Sequence, residues 1–514
     1  MNFLNKIWTA LKEKINSKET IEKSFEQTTV EEITVEKRPM APEPPKEMNK
    51  VAHPIGNATR IHTLDPMCSR KTGFSRVLDG LAKRQLEHDF QLERAAQTYD
   101  PIKNIGAGAF GIVCMAKERN TENYVAIKKI GHASATPTLA RRTLREIRVL
   151  RFLNHPNIVT LRDIFRTQGP LGTDVYLVMD LMETNLHRVI YDTERELRED
   201  EIMQCLRQLL VGLQYLHKAQ IAHRDLKPSN LLVNWETDSS ITLRIADFGM
   251  AKLAEKEKRN DEADEHCFYM TQHVATLPYR APELLFVMPE HSTAVDMWAV
   301  GCILGEMYKR QELFPARSVQ SQIYILVFTF GKPSAKILRE IRCERTKQLI
   351  EKYNCDTSVS FRELIPYGED GLSCNALDFV SRLLTIDPDN RMDINEALTH
   401  PFIQDYFPQI PNQPTCPFRV KNDMKNVEVL KHHQLTAALC KDVKSAENSY
   451  NAEMYSGDYP YERIRAWSPG DFERERNDEI FGGTRTNPRI HRGEIKYRQP
   501  DGFKQERQLT GICT

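Results

Sequence analysis

The sequence predicts an α+β fold in two lobes, strand-rich over residues 99–183 and helical over 184–405, with an extension at each end. Three observations predict it. A glycine-rich turn at Gly106–Gly111 leads into the β-branched run Val125-Ala126-Ile127-Lys128. A second strand-like run, Val175–Met179, ends in the polar stretch Asp180–Asn185. Between the two, Leu144, Ile147 and Leu150 recur at the spacing of one helix face. A chain of 514 residues has room for one large domain with tails or for more than one domain.

Residues 1–98 form the N-terminal extension. Phe3, Leu4, Ile7, Trp8, Leu11 and Ile15 share one helical face, with Lys6, Lys12 and Lys14 off it. That face suits a membrane surface, a partner protein or packing on the lobes, and the residues leave these open. Residues 26–57 are rich in Glu, Lys and Pro and read as a linker. A helix is predicted around Leu78–Ala96. From 406 onward Pro, Asn, Arg, Asp and Glu dominate; residues 420–448 suit a helix, and 449–514 read as largely disordered. There is no internal repeat.

The chemistry-bearing residues lie between these extensions. Ile105-Gly106-Ala107-Gly108-Ala109-Phe110-Gly111-Ile112-Val113 follows the pattern G-x-G-x-x-G-x-V. Glycines let backbone N–H groups approach phosphates closely. A dinucleotide-binding turn shares this pattern but needs an acidic residue about twenty positions on. Lys128-Lys129-Ile130-Gly131 stands there instead. Lys128 lies seventeen residues after Gly111, where a phosphate-gripping Lys belongs. Glu146, on the predicted amphipathic helix Arg141–Leu150, is the carboxylate placed to aim it.

His223-Arg224-Asp225-Leu226-Lys227-Pro228-Ser229-Asn230 puts a carboxylate, an ammonium and an amide within six residues. Phosphoryl transfer needs those groups around one hydroxyl and one metal ion. Asp225 suits a proton acceptor, Lys227 a neutraliser of charge on the moving group, and Asn230 a magnesium ligand. Asp247-Phe248-Gly249 adds a second carboxylate for magnesium after the strand-like Leu243–Ala246. Asp296 suits a brace for the loop, and Arg391 a partner for Glu283 of Ala281-Pro282-Glu283. The eight-residue run has the H-R-D-L-x-x-x-N form of a protein-kinase catalytic loop, and its Lys is the form usual for Ser/Thr specificity.

Over about residues 99–405 the chain resembles the mitogen-activated protein kinases, most of all the large extracellular-signal-regulated (big MAP kinase) branch. Tyr176–Leu186, Asp247–Lys252 and Tyr269-Met270-Thr271 running on to Val274-Ala275-Thr276 carry the resemblance, and Arg317–Pro366 takes the place of the family's C-lobe insert. It implies a bilobal kinase fold that binds ATP and Mg²⁺ and acts on protein hydroxyls. It implies that the Asp180 carbonyl and the Met182 N–H meet adenine, with Met179 as gatekeeper. It places Thr276 in the catalytic set and makes Thr271 a regulatory phosphosite read by Arg142, Arg145, Arg224 and Lys252. An upstream MAP kinase kinase is the implied activator, and growth or stress signalling the implied setting.

The departures alter the switch. The family lip is Thr-x-Tyr, and here it reads Thr271-Gln272-His273. The Arg that helps hold phosphotyrosine in relatives is Leu277 here, so the phosphate and its partner are lost together. Arg280, which shapes the pocket for a Pro after the target residue, is kept. The acidic docking run after the domain is replaced by Pro408–Pro414, which has no carboxylate. A catalytically silent, kinase-shaped scaffold is the second reading. The altered lip alone supports it, whereas Lys128, Asp225, Asn230 and Asp247 are all present.

Bulk properties agree with an enzyme. Lys plus Arg is 71 and Asp plus Glu is 71, which gives no field drawing the chain to nucleic acid. Eleven cysteines without a C-x-x-C pair suit reduced thiols, hence a cytoplasmic protein with access to the nucleus.

Overall fold

The computed structural model describes residues 73–454 apart from 109–110, 122, 170–171, 236–239, 255–276, 290–291, 354–357, 369–370, 409–415 and 417. All of these described residues belong to the first of two units, Met1–Ile464. The amphipathic face at 3–15, the stretch expected as the activation lip with Thr271, His273 and Thr276, the loop residues Ala109 and Phe110, and most of 408–414 therefore lie outside the described residues.

Helix α1 (Gly73–Asp89) and a short 3₁₀ turn (Glu93–Gln97) lead into β1 (Tyr99–Gly108), β2 (Gly111–Glu118) and β3 (Tyr124–Ile130). Helix α2 (Pro137–Leu150) follows, capped by Thr136, whose side chain accepts from the Leu139 N–H. Strands β4 (Leu161–Gly169) and β5 (Gly172–Asp180) complete an antiparallel sheet of order β1-β2-β3-β5-β4. The β-branched and aromatic runs favour strands, and α2 has its apolar residues at helical spacing.

Period-two alternation gives this sheet two different faces. Cys114, Ala116, Val125, Ile127, Tyr176 and Val178 pack on one face. Leu86, Phe90 and Leu92, from the segment before the sheet, cover it. Lys129 Nζ donates to the Asp89 carbonyl at 2.7 Å, and Phe165 stacks on Tyr176 at 4.8 Å. Leu86, Phe90 and Leu92 of the N-terminal extension thus pack on the lobe that opens at Tyr99. The opposite face carries Val113, Lys128 and Leu177, paired in register across three strands, and Met115, Ala126 and Met179 beside them.

The second lobe starts with β6 (Thr184–Asn185), α3 (Leu186–Ile190) and α4 (Glu199–Lys218). Strands β7 (Ile221–Ala222), β8 (Leu231–Trp235), β9 (Ile241–Ile245) and β10 (Lys252–Leu253) form two small sheets, β6-β8-β9 and β10-β7. Then come α5 (Pro282–Leu285), α6 (Ala294–Lys309) and α7 (Val319–Phe330). Helix α6 is buried almost all round, around Trp298, as its unbroken apolar run requires. Further helices, α8 (Ala335–Glu340), α9 (Glu344–Lys352), α10 (Phe361–Leu364), α11 (Cys374–Leu383), α12 (Ile394–Thr399) and α13 (Pro401–Gln404), close the lobe.

The chain then returns to the first lobe. Helices α14 (Phe418–Lys425) and α15 (His432–Met454) pack on α2. Val427 and Leu435 join Ala140 and Leu144 in a separate apolar cluster. Arg148 Nε meets Asp442 at 2.8 Å, and an Arg141 guanidinium nitrogen donates to the Leu430 carbonyl at 3.2 Å. The helix expected over 420–448 is thus present as two helices, reaches Met454, and is docked on α2. Among the described residues no helix is long and apolar enough to cross a membrane.

Candidate active site

The site lies where the Lys128 face of the sheet meets β8–β10. Gly108 and Gly111 pair at the ends of β1 and β2. A Cβ on Gly111 would fall 2.3 Å from the Lys129 carbonyl oxygen, so only glycine lets β2 come this close to β3. Gly111 is thereby held against the strand that carries Lys128.

Lys128 Nζ lies 2.5 Å from Glu146 Oε1 and 3.4 Å from Asp247 Oδ1. Burial disfavours the ammonium, but Glu146 and Asp247 outweigh it and raise the Lys128 pKa. Asp247 Oδ2 also faces Arg142 at 3.3 Å. Burial works against ionising Asp247, yet Lys128, Arg142, His223 and Lys227 hold its carboxyl well below the usual range. Arg142 reaches it by crossing Gly249, where a Cβ would lie 2.5 Å from the guanidinium Nε.

Asp247 has φ 66 and Arg224 has φ 67, both left-handed. Such residues cost roughly 1–3 kcal/mol each and persist only where neighbours fix them. Asp296 fixes Arg224: its Oδ1 accepts from the Arg224 N–H at 2.8 Å and its Oδ2 from the His223 N–H at 2.8 Å. His217 Nε2 lies 2.9 Å from the same carboxylate. His223 links the loop to the Asp247 segment, because its Nε2 meets the Ala246 carbonyl at 3.0 Å while Nδ1 accepts from the Asp225 N–H at 3.3 Å. Phe248, fully buried, packs edge-on against the His223 ring at 5.0 Å.

Asp225 is buried, with Lys227 Nζ 3.1 Å from its Oδ2. Asn230 donates through Nδ2 to the Asp225 carbonyl at 2.8 Å and to its Oδ2 at 3.2 Å. Both partners are acceptors, which fixes the amide orientation and turns Asn230 Oδ1 away from Asp225. Arg224, Asp225, Tyr279 and Arg280 line a shallow cavity beside these groups. At the hinge, Arg162 Nε (2.5 Å) and Arg244 hold the Asp180 carboxylate, and Met182 is buried. Ile105, Ala107 and Ile112 lie on β1 and β2 beside the paired glycines.

Of the four residues expected to read phosphate, Arg224 lines the cavity beside Asp225 and the other three divide into two groups. Arg145 and Lys252 face Glu428 of the C-terminal extension, whereas Arg142 faces Asp247. Glu428 escaped sequence reasoning, although the apolar spacing of Val427, Leu430 and Leu435 marks its segment as a docking face. Leu277, expected only as the loss of a phosphate donor, is buried in the main core.

Two lobes joined at a hinge, with paired glycines on the strands beside a Lys–Glu pair and an Asp–Lys–Asn loop in the second lobe, define a protein kinase. The chain matches the protein kinase domain over residues 99–403, and a protein kinase domain uses ATP. The mitogen-activated protein kinase sma-5 of Caenorhabditis elegans is 57% identical over 412 residues, covering 79% of this chain and 80% of that protein. Mitogen-activated protein kinase 6 of Oryza sativa subsp. japonica is 39% identical over 338 residues, covering 65% and 84%. The homolog NTF6 of Nicotiana tabacum is 39% identical over 317 residues, covering 62% and 80%. The chain belongs to the mitogen-activated protein kinase family and is a Ser/Thr protein kinase of that type, acting on protein substrates.

Proposed function

We propose that this chain is a magnesium-dependent, proline-directed kinase of the large extracellular-signal-regulated branch, working in the cytoplasm with access to the nucleus. The observation that carries the reading is the contact of Lys128 with both Glu146 and Asp247, opposite the Asp225–Asn230 pair. Asp225 accepts the proton of the attacking Ser or Thr hydroxyl as the γ-phosphoryl leaves ATP. Lys227, already beside Asp225, offsets charge on the transferring group. Lys128 holds phosphate oxygens, and Glu146 fixes its direction. Ile105–Val113 cover the phosphates, while the Asp180 carbonyl and the Met182 N–H meet adenine.

The donor set fits magnesium, which takes one or two protein oxygens and fills its remaining positions with phosphate and water. Asn230 Oδ1 and the Asp247 carboxylate would hold it, and it would neutralise charge between the phosphates. Arg280, half-buried and lining the cavity with Asp225, supports a pocket for Pro after the target residue. Thr271 is the proposed phosphosite for an upstream MAP kinase kinase, with Arg145, Arg224 and Lys252 as its readers and Arg142 beside them. Thr276 completes the catalytic set.

Incubation of the purified chain with radiolabelled ATP and a Ser-Pro peptide, with and without magnesium, tests the reading. Label on the peptide only with magnesium is the expected result. Absence of transfer by the phosphorylated protein would favour a silent scaffold.

A further inference from the structure

Glu428 links α2, which carries the Lys128 partner Glu146, to β10, which follows the other partner Asp247. Arg145 Nε donates to Glu428 Oε1 at 2.8 Å, and a second guanidinium nitrogen reaches the same oxygen. Lys252 Nζ lies 3.9 Å from Oε2. Arg145 immediately precedes Glu146 on α2, and Lys252 opens β10, five residues after Asp247. The two cations are nearly buried, with side chains 12% and 13% exposed, so the attraction is little screened by water. Both Lys128 contacts are formed in this arrangement.

We propose that Glu428 is a positioning residue for phosphoryl transfer: its carboxylate fills the anion site of Arg145 and Lys252 and holds Glu146 and Asp247 in register without a phosphate on the lip. A bound anion bridging α2 and β10 restrains the sliding of α2 that would withdraw Glu146 from Lys128. Despite burial, Arg145, Lys252 and Arg141 lower the Glu428 pKa, so the group is an anion at neutral pH. The proposal rests on the reading of Arg145 and Lys252 as anion readers, and it adds an anion from within the chain.

The test uses the full chain after phosphatase treatment, assayed on a basic protein substrate. Glu428→Gln is expected to lower kcat about 10- to 100-fold, the scale of a small misplacement of catalytic groups, with a smaller change in KM for ATP. Glu428→Asp should restore most of the loss. Hydrogen exchange should quicken in 137–150 and stay unchanged in β3 if the variant is folded. Asp442→Asn removes a neighbouring contact of the same extension with Arg148 and should cost less than about twofold, since it leaves the anion site intact.

Three outcomes overturn the proposal: kcat of Glu428→Gln within twofold of the parent, a rise in kcat, or an equal loss in Asp442→Asn. A rise would mean that Glu428 restrains the catalytic groups instead of positioning them. If Glu428→Gln is impaired and Thr271→Ala is not, the lip reading fails and this one stands; the reverse pattern rejects this one alone.

Discussion

Glu283 and Arg391, 108 positions apart, meet through two parallel hydrogen bonds of 2.8 and 2.9 Å, with both side chains fully buried. Arg391 also donates to the Ala294 carbonyl at 2.7 Å and lies over the Trp298 ring at 5.3 Å. The pair joins α5 to the core of the second lobe. Removing one member leaves a buried charge unpaired, which costs about 3–5 kcal/mol. Glu283→Gln and Arg391→Met should each lower the unfolding free energy extrapolated from urea titrations by that amount, and the double variant should recover part of the loss. Additive losses in the double variant would show that the two do not act as a pair.

Asp225→Asn keeps the shape of the loop and removes the proton-accepting charge. The turnover rate should fall about 10²- to 10⁴-fold, with ATP affinity nearly unchanged. Single-turnover rates with ATP titrations separate the two quantities. A rate near that of the parent would reject Asp225 as the base.

Lys128→Met leaves Glu146 buried without its cation and Asp247 with one positive neighbour fewer. The expected result is a loss of about 100-fold in kcat and weaker nucleotide binding, read by the same assays. Glu146→Gln should reproduce much of the rate loss, because Lys128 would then turn towards Asp247.

Glu306 on α6 accepts from the Tyr191 hydroxyl at 2.8 Å inside the core, and burial pushes its pKa up to about 7. Between about pH 4.5 and 7 the unfolded chain loses this proton while the folded chain keeps it. Stability therefore falls as pH rises through that window and levels off above it, by an amount on the order of 3 kcal/mol. Glu306→Gln should flatten that part of the melting profile and be the more stable form at pH 8. An unchanged slope in the variant would assign the pH dependence elsewhere.

Thr271→Ala should reduce activity after treatment with an activating upstream kinase to that of the untreated enzyme. His273→Tyr should add little. Adding Leu277→Arg should not repair the lip, because Leu277 is 9% exposed within the main core. A guanidinium there is desolvated, and the melting temperature of that variant should drop. Activity and melting curves of the three proteins decide this, and full activation of the double substitution with an unchanged melting temperature would overturn it.

The kinase class and the two-lobed fold were legible in the order of the residues. A Lys ending a β-branched strand, the Asp225-x-Lys227-x-x-Asn230 spacing and the Asp247-Phe248-Gly249 turn are local patterns, and backbone geometry turns local spacing directly into direction. Alternation along β2, β3 and β5 is enough to put Val113 and Lys128 on one face and Cys114 and Ile127 on the other. Tertiary structure decided what spacing cannot encode. Leu86 and Phe90 cover the sheet because its far face is apolar and would otherwise face water. Arg148 meets Asp442 across 294 positions, and Glu428 enters the Arg145–Lys252 site, only because docking of Val427 and Leu435 on α2 brings those charges together. Paired charges so far apart in the chain have no local signature. Burial of complementary apolar faces selects their partners, and that selection exists only in the folded chain.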